Sequence, residues 1–239
     1  RSRPDSWLRS VNVKRNVFLA LAVAAVAAAA IALLVRPSGQ KGAALGGRQH
    51  GMEKLGVQIA KLRPHSKVLV LSNPFAKESG FLNEKSRYER VGLRGLAKGL
   101  GGGSTVKVVF PGIRPEYFTN PQSVIIPPDS RTPLSFLMQP DSVDRLAEAH
   151  PECHVIVSLI GLPAEVQSLK VWDEKDPRCF ALLLPDLRLI GGPSDVVGAF
   201  ERGKLLAAVF EDAQSGDPLI VTKDNIAQML EQRPQILGF

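Results

Sequence analysis

"CFALLLPDLRLIGGPSDVVGAFERGKLLAAVFE" runs from Cys179 to Glu211, and its reading decides the fold class. "CFALLLPD" is a short apolar run without polar alternation, the pattern of a strand covered on both faces. "PSDVVGAFERG" follows as a helix, and "KLLAAVFE" is again an apolar strand-like run. A buried strand, a helix and a second buried strand in succession form the unit from which parallel sheets are built.

The same alternation extends in both directions. "GMEKLGVQIAKLR" places Met52, Leu55, Ile59 and Leu62 at the spacing of one helix face. "KVLVLS", Lys67 to Ser72, reads as a strand, "SRYERVGLRGLAKGL" as a helix halted by "GGG", and "STVKVVFPG" as the next strand. "DSVDRLAEAH" predicts a helix with Asp141 as N-cap and Pro151 beyond its end. "CHVIVSLIG" reads as a strand, and "PAEVQSLKVW" as a helix with Pro163 at a favourable first position. "DPLIVTKDNIAQMLEQ" closes with a short strand and a helix. The expectation is a single α/β domain over 51–239, three layers with a mainly parallel sheet of about five or six strands. One segment breaks the rhythm: 112–140 holds six prolines and no sustained period. A loop this long in a compact domain is usually functional or held by something else.

Upstream lies "NVFLALAVAAVAAAAIALLVRPSG", in which Val17 to Val35 carry no polar side chain. At 1.5 Å per residue these positions reach about 28 Å as a helix, close to the hydrocarbon thickness of a bilayer. The expectation is a basic tail over 1–16, a single transmembrane helix over 17–35 and a Gly/Ala/Ser-rich linker over 36–50. The net charge of +7 follows this division. Five basic residues (Arg1, Arg3, Arg9, Lys14, Arg15) face Asp5 before the apolar run, and Arg36, Lys41, Arg48, Lys54, Lys61 and Arg63 face Glu53 after it. From residue 67 onward 19 basic side chains meet 21 acidic ones. Basic flanks fit anionic lipid head groups, whereas a near-neutral domain argues against nucleic acid. The short tail favours a cytoplasmic N-terminus with the domain periplasmic, at a bacterial inner membrane.

Motifs for chemistry are sparse. "GAFERGKL" imitates a phosphate loop but ends in Leu205 where Ser or Thr would hold magnesium, and it runs from helix to strand. "GLGGGS" likewise follows a helix, so its glycines read as a helix stop. "HPECH" has no second ligand pair at a recognisable spacing, so no metal site is read, and no cofactor motif occurs. Cys153 and Cys179 each precede a predicted strand at the same end of the sheet. A disulfide between them is one reading, two half-buried thiols the other.

Two stretches, "DSVDRLAEAHPECHVIVSLIGLPAEV" and "CFALLLPDLRLIGGPSDVVGAFERGKLLAAVFEDAQSGDPLIV", resemble the type 1 periplasmic-binding-protein fold, the sugar- and amino-acid-receptor family that also supplies LacI-type effector domains. The first half, "KVLVLSNP" to "STVKVVFP", is similar more loosely. The resemblance implies an inherited receptor-like fold, at a length short of two full lobes, whose receptor function is lost or altered. Where the family presents Asn or Asp after the third strand, this chain has Leu162 and Pro163, and Asp186 alone stands where a ligand-loop Asp would fall.

Two functions follow as expectations. The first is a non-catalytic, single-pass accessory or scaffolding subunit of a larger membrane complex, docking through its Ala-rich helix and through Tyr117, Phe118, Phe136 and Met138 of the proline-rich arm. The second is a membrane-anchored ligand-binding or sensing module with Ser72, Asn73 and Asp186 at the strand C-termini, where open α/β sheets bind ligands.

Overall fold

The computed structural model describes residues 42–78, 83–212 and 215–238. The chain divides into residues 1–45 and a compact unit over 46–239. The apolar run 17–35, the basic tail and the first part of the expected linker lie outside the described residues. Among the described residues no helix is long and apolar enough to cross a membrane.

A helix over 42–62 (α1) occupies most of what reads as linker, so that stretch is helical from residue 42. β1 (Lys67–Leu71), β2 (Thr105–Val109), β3 (Val155–Ser158), β4 (Cys179–Leu183), β5 (Leu205–Glu211) and β6 (Pro218–Val221) form one sheet in the order β2-β1-β3-β4-β5-β6. Every pairing through β5 is parallel, and β6 joins antiparallel. The helices are α2 (Pro74–Glu78), α3 (Glu84–Leu100), α4 (Pro115–Thr119), α5 (Leu134–Leu137), α6 (Ser142–Ala149), α7 (Pro193–Glu201), α8 (Ile226–Gln232) and α9 (Pro234–Leu237).

The period-two geometry of strands explains the three layers. In β1, Val68 and Val70 face one core with Met52, Leu55 and Ile59 of α1 and Leu96 and Leu100 of α3. Leu69 and Leu71 face the other core, with Val143 of α6, Val196 and Phe200 of α7, and Ile226 of α8. A register shift where Phe180 and Ala181 meet Leu205 and Ala207 places one extra residue, Leu206, in β5 and keeps both apolar sets inward.

Between β3 and β4 the expected helix is absent. "PAEVQSLKVW" forms two 3₁₀ turns, Val166–Ser168 and Lys170–Trp172. The carboxylate of Asp144, on α6, accepts the amides of Lys170 and Val171 at 3.0 Å each, so these two are satisfied from another element, while those of Ser168, Leu169 and Trp172 bond the carbonyls three residues back. Asp141 makes no capping bond and instead pairs with Arg145 at 2.6 Å. Lys204, in the sequence that imitates a phosphate loop, immediately precedes β5 and follows a turn at Gly203. It is buried, with Nζ donating to the carbonyls of Val171 (3.2 Å), Asp176 (2.6 Å) and Arg178 (3.4 Å).

Cys153 and Cys179 are free and buried. They belong to opposite core layers, which corrects the disulfide reading. Burial pushes both thiols above their usual range, with Glu152 adding to the effect at Cys153.

Candidate ligand groove

α1 and α3 touch backbone to backbone. A Cβ at Gly99 would lie 2.1 Å from the carbonyl oxygen of Glu53, and one at Gly95 would lie 2.2 Å from that of Gln49. Only glycine permits this approach. It carries Arg48, one turn before Met52 on the inward stripe of α1, across α3, where Gly92 leaves room for its stem.

The guanidinium of Arg48 therefore meets the first turns of α3. Nη2 donates to Oε1 of Glu89 at 2.8 Å, and Nε donates to the carbonyl of Tyr88 at 3.1 Å. The plane sits 5.3 Å from the centroid of the Tyr88 ring, within cation–π range. Oε2 of Glu89 accepts from the Ser72 hydroxyl at 2.6 Å and from the Asn73 amide at 3.4 Å. Both Glu89 oxygens are thus engaged, and the pair is nearly buried, with Arg48 12% exposed at its side chain.

This cluster stands at the topological switch point. β1 connects through α3 to β2 on one side, while β3 flanks β1 on the other. Open α/β sheets leave a crevice there, outside the strand C-termini. Here it is a groove of about 400 Å³. Arg48, Lys85, Tyr88 and Glu89 wall it, Asn73 stands at the end of β1, and Leu159, Ile160 and Leu134 supply apolar floor. The floor is set by a tight turn. The Ser158 hydroxyl donates to the carbonyl of Gly161 at 2.6 Å, and Gly161 takes φ +87° with Thr132 and Ser135 packed where a side chain would be.

Of the residues expected at a site, Ser72 and Asn73 come together here. Ser72 is buried and reaches Glu89, and Asn73 uses Oδ1 to accept the Phe75 amide at 3.0 Å. Asp186 lies elsewhere, in a clasp. Its carboxylate receives Arg188 through Nε at 2.9 Å and Nη2 at 2.7 Å, and Arg188 also holds Asp129 on the arm. Burial opposes ionisation of Asp186, yet the Arg188 guanidinium and the amides of Arg131 and Arg188 outweigh it and hold the carboxyl below its usual range. The hydrogen bond from Arg188 does the same for Asp129.

The arm is pinned at its base. Ile113 bridges Met138 antiparallel, Gln139 donates its amide to Gly112 at 2.8 Å, and Arg114 pairs with Glu165. Met138 is consequently 1% exposed, which removes it from the expected docking surface. Phe136 is half-buried. Tyr117 stacks edge-on between Phe75 (5.8 Å) and Phe118 (5.7 Å), and Phe118 is 64% exposed.

The sequence reading missed Arg48 and Glu89. Both carry one detectable signal, a charged residue in register with an apolar helical stripe: Arg48 precedes Met52, Leu55 and Ile59, and Glu89 falls between Ser86 and Leu96.

No protein-family model matches this chain, and no curated protein does. Among solved structures it is similar to periplasmic sugar-binding proteins, the class its sequence resembles. A solute-binding protein from Actinobacillus succinogenes 130z with bound D-allose shares 8% identity over 76% of this chain and 62% of its own, at a TM-score of 0.44. A carbohydrate transporter protein from Acidothermus cellulolyticus 11B in complex with myo-inositol shares 13% over 80% and 62%, at 0.45. GanP, a glucose-galactose binding protein from Geobacillus stearothermophilus, shares 8% over 74% and 61%, at 0.45. The chain thus spans less than two thirds of each. Likeness at this level assigns neither ligand nor activity.

Proposed function

We propose that this chain is a non-catalytic small-ligand-binding or sensing module whose site is the groove between β1 and β3. The observation that carries this reading is the Arg48–Glu89–Ser72 cluster. A charged network is held at the switch point by backbone contact between two helices, where a plain packing role would be met by apolar side chains. The non-catalytic part rests on Glu89, whose oxygens are occupied in holding Arg48, Ser72 and Asn73. The apolar run 17–35 would anchor the module as a single span in a bacterial inner membrane, its basic flanks on anionic head groups and its domain periplasmic. The test is a thermal-shift screen of the full chain in mild detergent against polyols, amino acids and small anions. A ligand that raises Tm in the wild type and not in Asn73→Ala supports the reading. No shift with any class would overturn it.

A second reading, the accessory subunit of a membrane complex, is favoured by the exposed Phe118 and by Ile125, which is 84% exposed at the arm's tip. Extraction in mild detergent followed by native mass measurement tests it. Co-migration with a large assembly, lost in Phe118→Ser with Ile125→Ser, is the expected result under that reading, and migration as a lone chain would sink it.

A further inference from the structure

We propose that the groove takes an anionic group, a carboxylate or a phosphate, held by Arg48, Lys85 and Asn73; this rests on the ligand-binding reading above and gives it a ligand class. Arg48 has Nε and one Nη2 hydrogen engaged, and among the described residues Nη1 has no partner and is not shut off from solvent. The Asn73 amide is oriented by the bond its Oδ1 accepts from Phe75, which leaves Nδ2 as a donor without a partner among the described residues. Lys85 is exposed at the groove's edge, has no ion-pair partner among the described residues, and places Nζ 5.8 Å from the centroid of the Phe75 ring.

Two acids also line the groove. Glu89 has both oxygens engaged, and Glu84, exposed in the first turn of α3, is itself partnered. Open donors therefore face the groove from three separate places, and the nearer carboxylate already has both oxygens engaged. The ligand that completes such a set brings acceptors, and a planar or tetrahedral anion presents two or three in one group. The Tyr88 ring and the carboxylate of Glu89 fix the guanidinium plane before the ligand arrives, which lowers the ordering cost of capture. The shared chemistry is an oxyanion, borne either by a free solute or by a lipid head group.

The experiment uses the ¹⁵N-labelled full chain in phosphatidylcholine nanodiscs, with the Arg48 Nε–H and the amides of residues 73 and 85 as reporters. It is titrated with inorganic phosphate, with propionate and, as a neutral comparator, with myo-inositol. A parallel sample carries phosphatidylglycerol in the nanodisc. Saturable shifts with phosphate or propionate that weaken with added salt are expected, with affinity about tenfold lower in Lys85→Glu. Lys85 is exposed, so this variant keeps the fold. Shifts with phosphatidylglycerol and none with the free anions would assign the oxyanion to lipid. Shifts with myo-inositol alone, or unchanged phosphate affinity in Lys85→Glu, would overturn the anion proposal and leave the groove a ligand site. Silence with every probe would instead remove the ligand-binding reading itself.

Discussion

Removing the Glu89 carboxylate would leave the Arg48 guanidinium almost buried with one carbonyl for a partner, and would strand the Ser72 hydroxyl at the same time. Breaking one side of a buried pair costs far more than the pair itself contributes. Glu89→Ala should therefore destabilise the domain by about 3 kcal/mol, read as a fall in the urea midpoint. Glu89→Gln keeps an acceptor for Arg48 and should cost about half as much. The residue scale is also where sequence reading was weakest. A charged side chain in an apolar stripe looks like a solvated face until its partner is known, and the partner here comes from a helix 41 positions away. Asp186 shows the converse: its place after a strand suggested a ligand group, and only the fold reveals Arg188, itself held by Asp129, closing on it.

At the scale of elements, β1, β3, β4 and β5 were legible because each is largely a continuous apolar run, a pattern that follows from burial on both faces, whereas β2, with Thr105 and Lys107 exposed, lies at the sheet edge. The β3–β4 connection was not legible, because two of its amides, those of Lys170 and Val171, are satisfied by Asp144 of α6, which no local pattern records. The opening of α1 was hidden by Gly-rich composition, the same glycine-rich chemistry that elsewhere allows α1 and α3 to meet. Gly99→Ala tests that contact. Its Cβ would press on the Glu53 carbonyl, which cannot rotate away, and the helices must separate. A loss of about 3 kcal/mol in thermal or urea unfolding is expected, with weakened ligand shifts at Arg48. The clasp gives a pH dependence of defined sign. Asp129 and Asp186 both titrate below their usual range when folded, so their contribution is present above the ordinary carboxylate range and disappears as pH falls through the lowered folded values. Tm measured from about pH 5 down to about pH 2 should drop less in Asp186→Asn than in the wild type.

Across the whole molecule, polar networks hold what the sheet and its two cores leave irregular. The arm hangs on the Ile113–Met138 bridge, the Arg114–Glu165 pair and the Arg188 clasp, while the loop before β4 hangs on Lys204. Burial lowers the pKa of that lysine, and three carbonyls keep its proton in use. Lys204→Met removes the donor for all three and should lower stability by about 3 kcal/mol, with the urea midpoint as the measure. In other molecules a ring of carbonyls of this kind would cradle a dissolved potassium or sodium ion. Here the cation is attached to the chain, at a local concentration that dialysis cannot dilute and a chelator cannot strip. The loop before β4 is thereby insulated from the ionic composition around it, and exchanging one monovalent salt for another should leave its melting unchanged.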